Sequence, residues 1–306
     1  MTRQRHPSRI ATLTLAALAA CVLIPNAAAA SERPQVVATF TIIGDWIDAV
    51  GGEHVDLKTL APAGAEVHEW ELSPRNFEAL DAADIVFANG LQLEQWMGQV
   101  EATIRPNTPI IRVAEETDYP AQAIRIGDLE GAPDPHQWMD PRAAERQVAL
   151  IAEQLAVIDP PNAEAYHANA ERYREELLAL HAELEDRLAA IGEDQRTLIT
   201  SEAAFLYFAD AYGFAHDGIW GSNAEDEGTP RQIARIIDLV FEREPRALFW
   251  ESTITDRYVR SVADDTDTPV AGPLYVDSVG PAGSGAESYI DMMRHNAELL
   301  VKHLGE

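Results

Sequence analysis

Apolar positions along this chain change period repeatedly, and the changes outline alternating strands and helices. Val36-Val37-Ala38-Thr39-Phe40 has the length of a buried strand, and Ile42 to Val50 follows with helical spacing that ends at Gly51-Gly52. Val55 to Leu60 is the next strand. A helix is predicted after Ser73-Pro74, because serine accepts from the first free N–H groups and proline suits the first helical position. Ile85 to Ala88 and Ile110 to Val113 are short buried strands, with a helix from Leu91 to about Ile104 between them. Such alternation predicts a parallel sheet covered on both faces.

The alternation breaks between Pro161 and Ile191. Tyr166, Tyr173, Leu177, Leu180, Leu184, Leu188 and Ile191 recur at intervals of seven, four, three, four, four and three, which draws one apolar stripe on one long helix. Gly192 is its predicted stop. About thirty residues make a rod of roughly 45 Å, longer than one small lobe needs, so the helix is read as a spine between two lobes. Beyond it, Leu198 to Thr200 and Ala247 to Trp250 are strands. Ala203 to Tyr212, Arg231 to Phe241 and Ser288 to Leu304 are helices, the second of these capped by Thr229-Pro230.

The expected fold is therefore α/β, with two lobes, each a mainly parallel sheet flanked by helices, joined by one long rigid helix. The boundaries read as a signal peptide at 1–30, an N-terminal lobe at 31–159, the spine at 160–192 and a C-terminal lobe at 193–306. A length of 306 residues suits two such lobes.

The first thirty residues read as a leader. Arg3, Arg5 and Arg9 precede an apolar run from Ile10 to Ile24, and small residues end at Ala30, where cleavage would leave Ser31 first. The run is too short for a membrane anchor. Leu18-Ala19-Ala20-Cys21 also resembles a lipobox, but Val22, Leu23 and Ile24 stand where a polar tether is expected, so cleavage near Ala30 and a periplasmic or secreted product is the preferred reading. That cleavage would remove the single cysteine and with it disulfides, thiolate ligands and cysteine nucleophiles.

Charge narrows the partners. Twenty-three basic residues stand against 51 acidic ones, for a net charge of −28, which argues against nucleic acid. Lys58 and Lys302 are the only lysines, and the acids are spread along the chain as a solubilising surface. Glu225-Asp226-Glu227 is read as a solvated loop, with docking to a membrane partner as the alternative.

Candidate chemistry gathers at four positions. His136 lies in Pro133-Asp134-Pro135-His136-Gln137-Trp138-Met139-Asp140-Pro141, where prolines stiffen both sides of an imidazole. His68, Glu202 and Asp277 likewise follow predicted strands or lie in connections, where parallel α/β lobes bind ligands. Two positions precede the spine and two follow it, so a cleft between facing lobes could gather all four. Each has an ordinary alternative: Glu202 can cap a helix, Asp277 can close a turn, and His68 can be surface. No H-E-x-x-H, C-x-x-C or calcium-loop pattern marks a local metal site.

The motifs V-V-A-T-F-T-I-I-G-D, G-G-E-H-V, P-D-P-H-Q-W-M-D-P, T-S-E-A-A-F-L-Y-F-A-D-A-Y-G-F, I-W-G-S-N-A-E-D-E-G-T-P, L-Y-V-D-S and S-Y-I-D-M-M-R-H-N run through the chain from residue 36 to its C-terminal helix. Together they resemble the metal-binding solute-binding proteins of bacterial ABC importers, the cluster A-I family of manganese, zinc and iron binders. The resemblance implies that His68, His136, Glu202 and Asp277 are the four metal ligands. It also implies that a membrane permease with its cytoplasmic ATPase is the partner and that a long helix joins the lobes. One departure stands out: many relatives have D-P-H or D-A-H before the first ligand, where this chain has Glu66-Val67-His68.

Glu202 bears most on the cargo. Zinc members usually carry histidine at that position and often a histidine-rich loop between the first two ligands, whereas residues 114–134 contain no histidine. Two imidazoles with two carboxylates make a harder site than zinc prefers. The expected cargo is Mn2+, with Fe2+ as a second candidate and Zn2+ able to occupy the site. The expected protein is a monomeric binding protein without enzymatic activity. A zinc-specific member of the same family, a secreted metallohydrolase and a metal-dependent adhesin are the alternatives; the hydrolase would need a general base that nothing outside the four positions supplies.

Overall fold

Four parallel strands form the first sheet in the order β2-β1-β3-β4: β1 (Gln35–Ala38), β2 (Asp56–Thr59), β3 (Ile85–Ala88) and β4 (Ile110–Arg112). The computed structural model describes residues 1–2, 33–221 and 228–305, so the leader beyond Thr2 and the acidic triplet at 225–227 lie outside the described residues. Crossover helices α1 (Thr41–Gly51), α2 (Pro74–Ala82) and α3 (Met97–Thr103) connect the strands, as parallel pairing requires. Ser73 caps α2 as expected: its hydroxyl accepts from the Asn76 N–H while the Asn76 side chain accepts from the Ser73 N–H, and Pro74 opens the helix.

Two helices follow the sheet. α4 (Pro141–Ile158) opens on Asp140, whose carboxylate accepts from the Arg142 N–H, and α5 (Ala163–Leu188) is the long helix. Its 26 residues span about 39 Å. The whole predicted stripe is buried, and each fully buried leucine in it contributes about 2 kcal/mol. α5 lies along α4 and also touches α1 before it and α9 after it. Asn169 donates to the Val50 carbonyl on α1 at 3.0 Å, and Glu183 pairs with Arg294 on α9 at 2.8 Å.

Beyond α5, two parallel pairs make the second sheet region: β5 (Thr197–Glu202) with β6 (Ala215–Trp220), and β7 (Leu248–Glu251) with β8 (Val270–Leu274). β7 lies beside β5. Helices α6 (Leu206–Tyr212), α7 (Pro230–Arg243), α8 (Arg257–Thr266) and α9 (Tyr289–Leu304) complete the chain. Thr229 and Gln232 cap α7 reciprocally, as Thr229-Pro230 predicts. The fold is thus α/β, with parallel sheets flanked by helices on either side of one long helix. Among the described residues no helix is long and apolar enough to cross a membrane.

One apolar cluster reaches from Val36 through α1, α4, α5, α6 and α9 to Leu304, so the two sheet regions share core across the helical layer. A smaller cluster lies around α7 and α8, and another on the far face of the first sheet.

Several elements differ from the sequence reading. α3 begins at Met97, not Leu91, because Leu91 and Gln92 turn the backbone through positive φ of 53° and 62°. α6 begins at Leu206, not Ala203, with Phe205 before it. Gly192 is not the stop of α5, which ends at Leu188; Gly192 has φ −59° and ψ 146°, an extended conformation open to any residue. The sequence reading assigns no element to α4, β6, α8 or β8. β6 reads Ala-His-Asp-Gly-Ile-Trp and β8 reads Val-Ala-Gly-Pro-Leu, neither with the apolar run that marks β1 and β3. α4 carries a legible helical period in its buried Ala143, Ala144, Gln147, Val148, Ile151, Ala152 and Leu155.

Candidate metal centre

Each of the four candidate side chains reaches the centre by a different route. Glu202 is the last residue of β5, where strand pairing sets its direction. Its neighbour strand can come that close only because residue 218 is glycine: a Cβ there would stand 2.4 Å from the Ala203 nitrogen. Behind Glu202, the buried Glu251 carboxyl at the end of β7 accepts from the backbone N–H of Ser201 at 3.2 Å and of Glu202 at 3.0 Å. Burial pushes the Glu251 carboxyl up to about 8 despite those two bonds.

Asp277 follows β8. The amide of buried Asn296 on α9 pins Tyr275 just before it, donating to the Tyr275 carbonyl at 2.6 Å and accepting from its N–H at 2.9 Å. Trp138 adds a bond from its indole N–H to the Val276 carbonyl at 2.7 Å. This ties the segment carrying Asp277 to the one carrying His136.

His136 is fully buried between Asp134 and the start of α4. One Asp134 oxygen, Oδ1, lies 2.9 Å from the His136 backbone nitrogen and 3.0 Å from its Nδ1. A carboxylate on Nδ1 selects the tautomer that turns Nε2 toward the centre and makes that nitrogen more basic. Burial alone would depress the imidazole; Asp134 first, then Asp277 and Glu202, outweigh it and hold His136 well above the usual histidine range.

His68 lies in an irregular segment beyond β2, with its Nδ1 3.3 Å from the Leu93 carbonyl. Its carbonyl accepts from the Gln95 N–H at 3.2 Å, and the Val67 carbonyl accepts from the Trp96 indole at 2.8 Å. With a neutral carbonyl behind it, burial dominates and pushes His68 down to about 4.

These routes converge. One donor atom from each of His68, His136, Glu202 and Asp277 lies within 4.8 Å of the others, and all four residues are buried. Glu202 Oε1 stands 3.5 Å from His68 Nε2 and 3.8 Å from His136 Nε2. Asp277 turns Oδ1 to His136 Nε2 at 3.5 Å and Oδ2 to His68 Nε2 at 3.8 Å, so both its oxygens face the centre. Against the burial that opposes ionisation, the two imidazoles hold the Asp277 carboxyl below its usual range.

Four donors about 2.1 Å from one ion in a tetrahedron stand about 3.4 Å apart, close to these separations. The two Nε2 atoms and both Asp277 oxygens are buried and make no hydrogen bond. Buried polar atoms are rarely left this way, and four such atoms facing one point suit a cation that none of them alone could hold. The ordinary alternatives thus fail on position: Glu202 caps no helix, Asp277 closes no turn with its carboxylate, and His68 is not surface.

Residues 36–303 match the family described as zinc-uptake complex component A, periplasmic. The chain belongs to this family. It is 39% identical over 276 residues to the manganese-binding lipoprotein MntA of Halalkalibacterium halodurans, covering 90% of each chain. It is 35% identical over 291 residues to the iron-binding protein YfeA of Yersinia pestis, covering 93% of each. In structure it is similar to the periplasmic zinc-binding protein TroA of Treponema pallidum, at 28% identity and a TM-score of 0.83, over 90% of this chain and 100% of that one. As a family member the chain is an extracytoplasmic substrate-binding component of a metal ABC transporter, not an enzyme.

The centre of this chain comprises more than the four converging side chains, and the sequence reading does not single out Asp134 or Glu251. Asp134 is visible as an acid two residues before His136, and a carboxylate is a common partner for the second nitrogen of a ligating imidazole. Glu251 directly follows the predicted strand Ala247 to Trp250, so the same strand-end logic that draws attention to Glu202 applies to it.

Proposed function

We propose that this chain captures a divalent transition-metal ion with His68, His136, Glu202 and Asp277 as ligands and delivers it to the membrane permease of an ABC importer. The single observation that carries the reading is the meeting of four buried ligand side chains, in which both imidazole Nε2 atoms and both Asp277 oxygens lack hydrogen-bond partners. Mn2+ is the main cargo in this reading, with Fe2+ second. Asp277 can give both oxygens to one ion, and Glu202 adds a second carboxylate, so the donor set exceeds the four that zinc usually takes and is harder than a histidine-rich site. Two carboxylates also balance a divalent charge.

Zinc is the second reading, favoured by two imidazoles at near-tetrahedral separations and by zinc's greater affinity for most nitrogen and oxygen sites. Competitive titration of metal-stripped protein with Mn2+, Fe2+ and Zn2+, paired with uptake measured in cells, separates the two. Manganese accumulation that depends on this chain supports the first; zinc accumulation alone replaces it with the second.

The working cycle is capture, slight closure of the N-terminal lobe (31–159) and C-terminal lobe (193–306) about the spine (160–192), docking as a monomer, and release. α5 supports small closure, because its shared core with α1, α4 and α9 resists wide hinging. For the N-terminus, the lipoprotein names of relatives such as MntA and the iron-binding MtsA of Streptococcus pyogenes reverse the preference for Ala30. Cys21 in Leu18-Ala19-Ala20-Cys21 becomes the favoured processing point and lipid anchor. Mass spectrometry of the membrane-extracted protein, with Cys21→Ala as the control, tests this.

A further inference from the structure

A fifth carboxylate stands at the edge of the centre. Glu66 Oε1 lies 4.0 Å from His68 Nε2, and the same oxygen accepts from the His68 backbone N–H at 2.9 Å. Its side chain is 33% exposed, whereas those of His68, Glu202, His136 and Asp277 are between 0% and 7% exposed. Glu66 is thus a carboxylate that touches solvent and the ligand cluster at once. It falls outside the group of four whose donor atoms all meet within 4.8 Å.

We propose that Glu66 is the entry carboxylate of the site: it meets the hydrated cation first and passes it inward to the four buried ligands. This inference rests on the metal-binding reading above. An arriving divalent ion sees Glu66 together with Glu202 and Asp277, so the charge at the mouth adds to the attraction during approach. At the mouth Glu66 is the carboxylate nearest the ion, whereas at the buried position Glu202 and Asp277 hold the ion directly and Glu66 stands outside them. Its charge accordingly lowers the barrier between solvent and site more than it stabilises the filled site. Its reach also suits the task, since an oxygen about 4 Å from a ligand nitrogen is placed to accept from water still carried by the ion.

Stopped-flow tryptophan fluorescence can follow entry, because buried Trp138 has its ring 5.1 Å from that of His136. Glu66→Gln removes the charge but keeps a carbonyl oxygen to accept from the His68 N–H, which leaves the local turn supported. With MnCl2 as the probe, the association rate constant should fall about three- to tenfold in low salt, the dissociation rate constant should fall with it, and Kd should change less than either. Higher ionic strength should shrink the gap between wild type and variant. Glu66→Asp, which keeps the charge, should retain most of the rate.

An association rate unchanged in Glu66→Gln overturns the proposal, as does an unchanged association rate with faster dissociation, which would make Glu66 a support of the filled site. Should Glu66→Gln fail to hold metal at all, a Glu66→Asp variant that is as slow as a neutral residue predicts, or a wild-type rate indifferent to salt, overturns it. Wild-type protein that binds no divalent ion refutes the metal-binding reading and this inference together; binding by wild type with no rate effect at Glu66 refutes the inference alone.

Discussion

His68 and His136 are both buried, both lie in irregular connections and both aim Nε2 at the same two carboxylates, yet their proton affinities move in opposite directions. The difference lies behind the rings. His136 has the Asp134 carboxylate at Nδ1, while His68 has the Leu93 carbonyl. Anchorage differs too. Trp138 and Tyr289 bond the His136 segment to the C-terminal sheet region, with the Tyr289 hydroxyl donating to the Trp138 carbonyl at 2.6 Å, and Tyr207 donates to the Asp134 carbonyl at 3.2 Å. The bonds from Gln95 and Trp96 tie the His68 segment within its own region; its crossing bond runs from the Gly64 N–H to Ser278 Oγ at 2.8 Å. Two identical side chains at one centre are therefore unequal donors, and the group behind each ring sets the inequality.

The largest test of that inequality is removal of each ring. His136→Ala should weaken Mn2+ binding by more than about 100-fold, and His68→Ala by less, since the loss of an outer partner alone typically costs 10- to 100-fold. Isothermal titration calorimetry reads the ratio; equal losses would dissolve the distinction between the two histidines.

A smaller change reaches the cause directly. Asp134→Asn should lower Mn2+ affinity by about 10- to 100-fold and alter its pH dependence. His136 is raised in the folded, metal-free protein, so metal must compete with a more tightly held proton, and wild-type affinity should climb with pH. Without the carboxylate that proton leaves at lower pH, and the climb should flatten. A profile as steep in the variant as in wild type would assign the proton elsewhere.

The smallest effect on metal belongs to a carboxyl away from both rings. Asp45 on α1 accepts from the Tyr173 hydroxyl on α5 and the Tyr289 N–H at the start of α9, each at 3.1 Å, and burial raises it to about 6. A carboxyl raised in the folded state contributes stability that is full below its unfolded value near 3.8 and lost as pH rises through about 6. Asp45→Asn retains an acceptor without the charge, so metal-free wild type should lose up to about 3 kcal/mol relative to the variant as pH rises through that window. Chemical denaturation at pH 4 and pH 7 measures the difference. Mn2+ affinity should be unchanged, which separates the junction of the three helices from the centre itself.

Legibility in the sequence follows how local each cause is. The stripe on α5 and the caps at Ser73 and Thr229 depend on residues one or two turns apart at most, and the structure has them where the spacing predicts. β6 escapes because its outer end is half-buried or exposed and polar, so pairing with β5 defines it and its own pattern does not. The start of α3 moves because the Gly90 to Gln92 turn takes three successive residues through positive φ, for which Leu91 and Gln92 carry no composition cue. Of the site, the four residues were visible as candidates, but spacings of 68, 66 and 75 positions hold no geometric information.

By itself, then, the sequence determined the alternation of elements, the long helix and which four side chains deserved attention, since periodicity, capping and motif are local properties of the chain. Tertiary structure alone decided that those side chains meet, that Asp277 turns both oxygens inward, and that Asp134 and Leu93 make unequal donors of two histidines. The physical reason is that desolvation and charge at a buried centre depend on every group folded against it, and those groups come from strand ends and loops far apart in the chain.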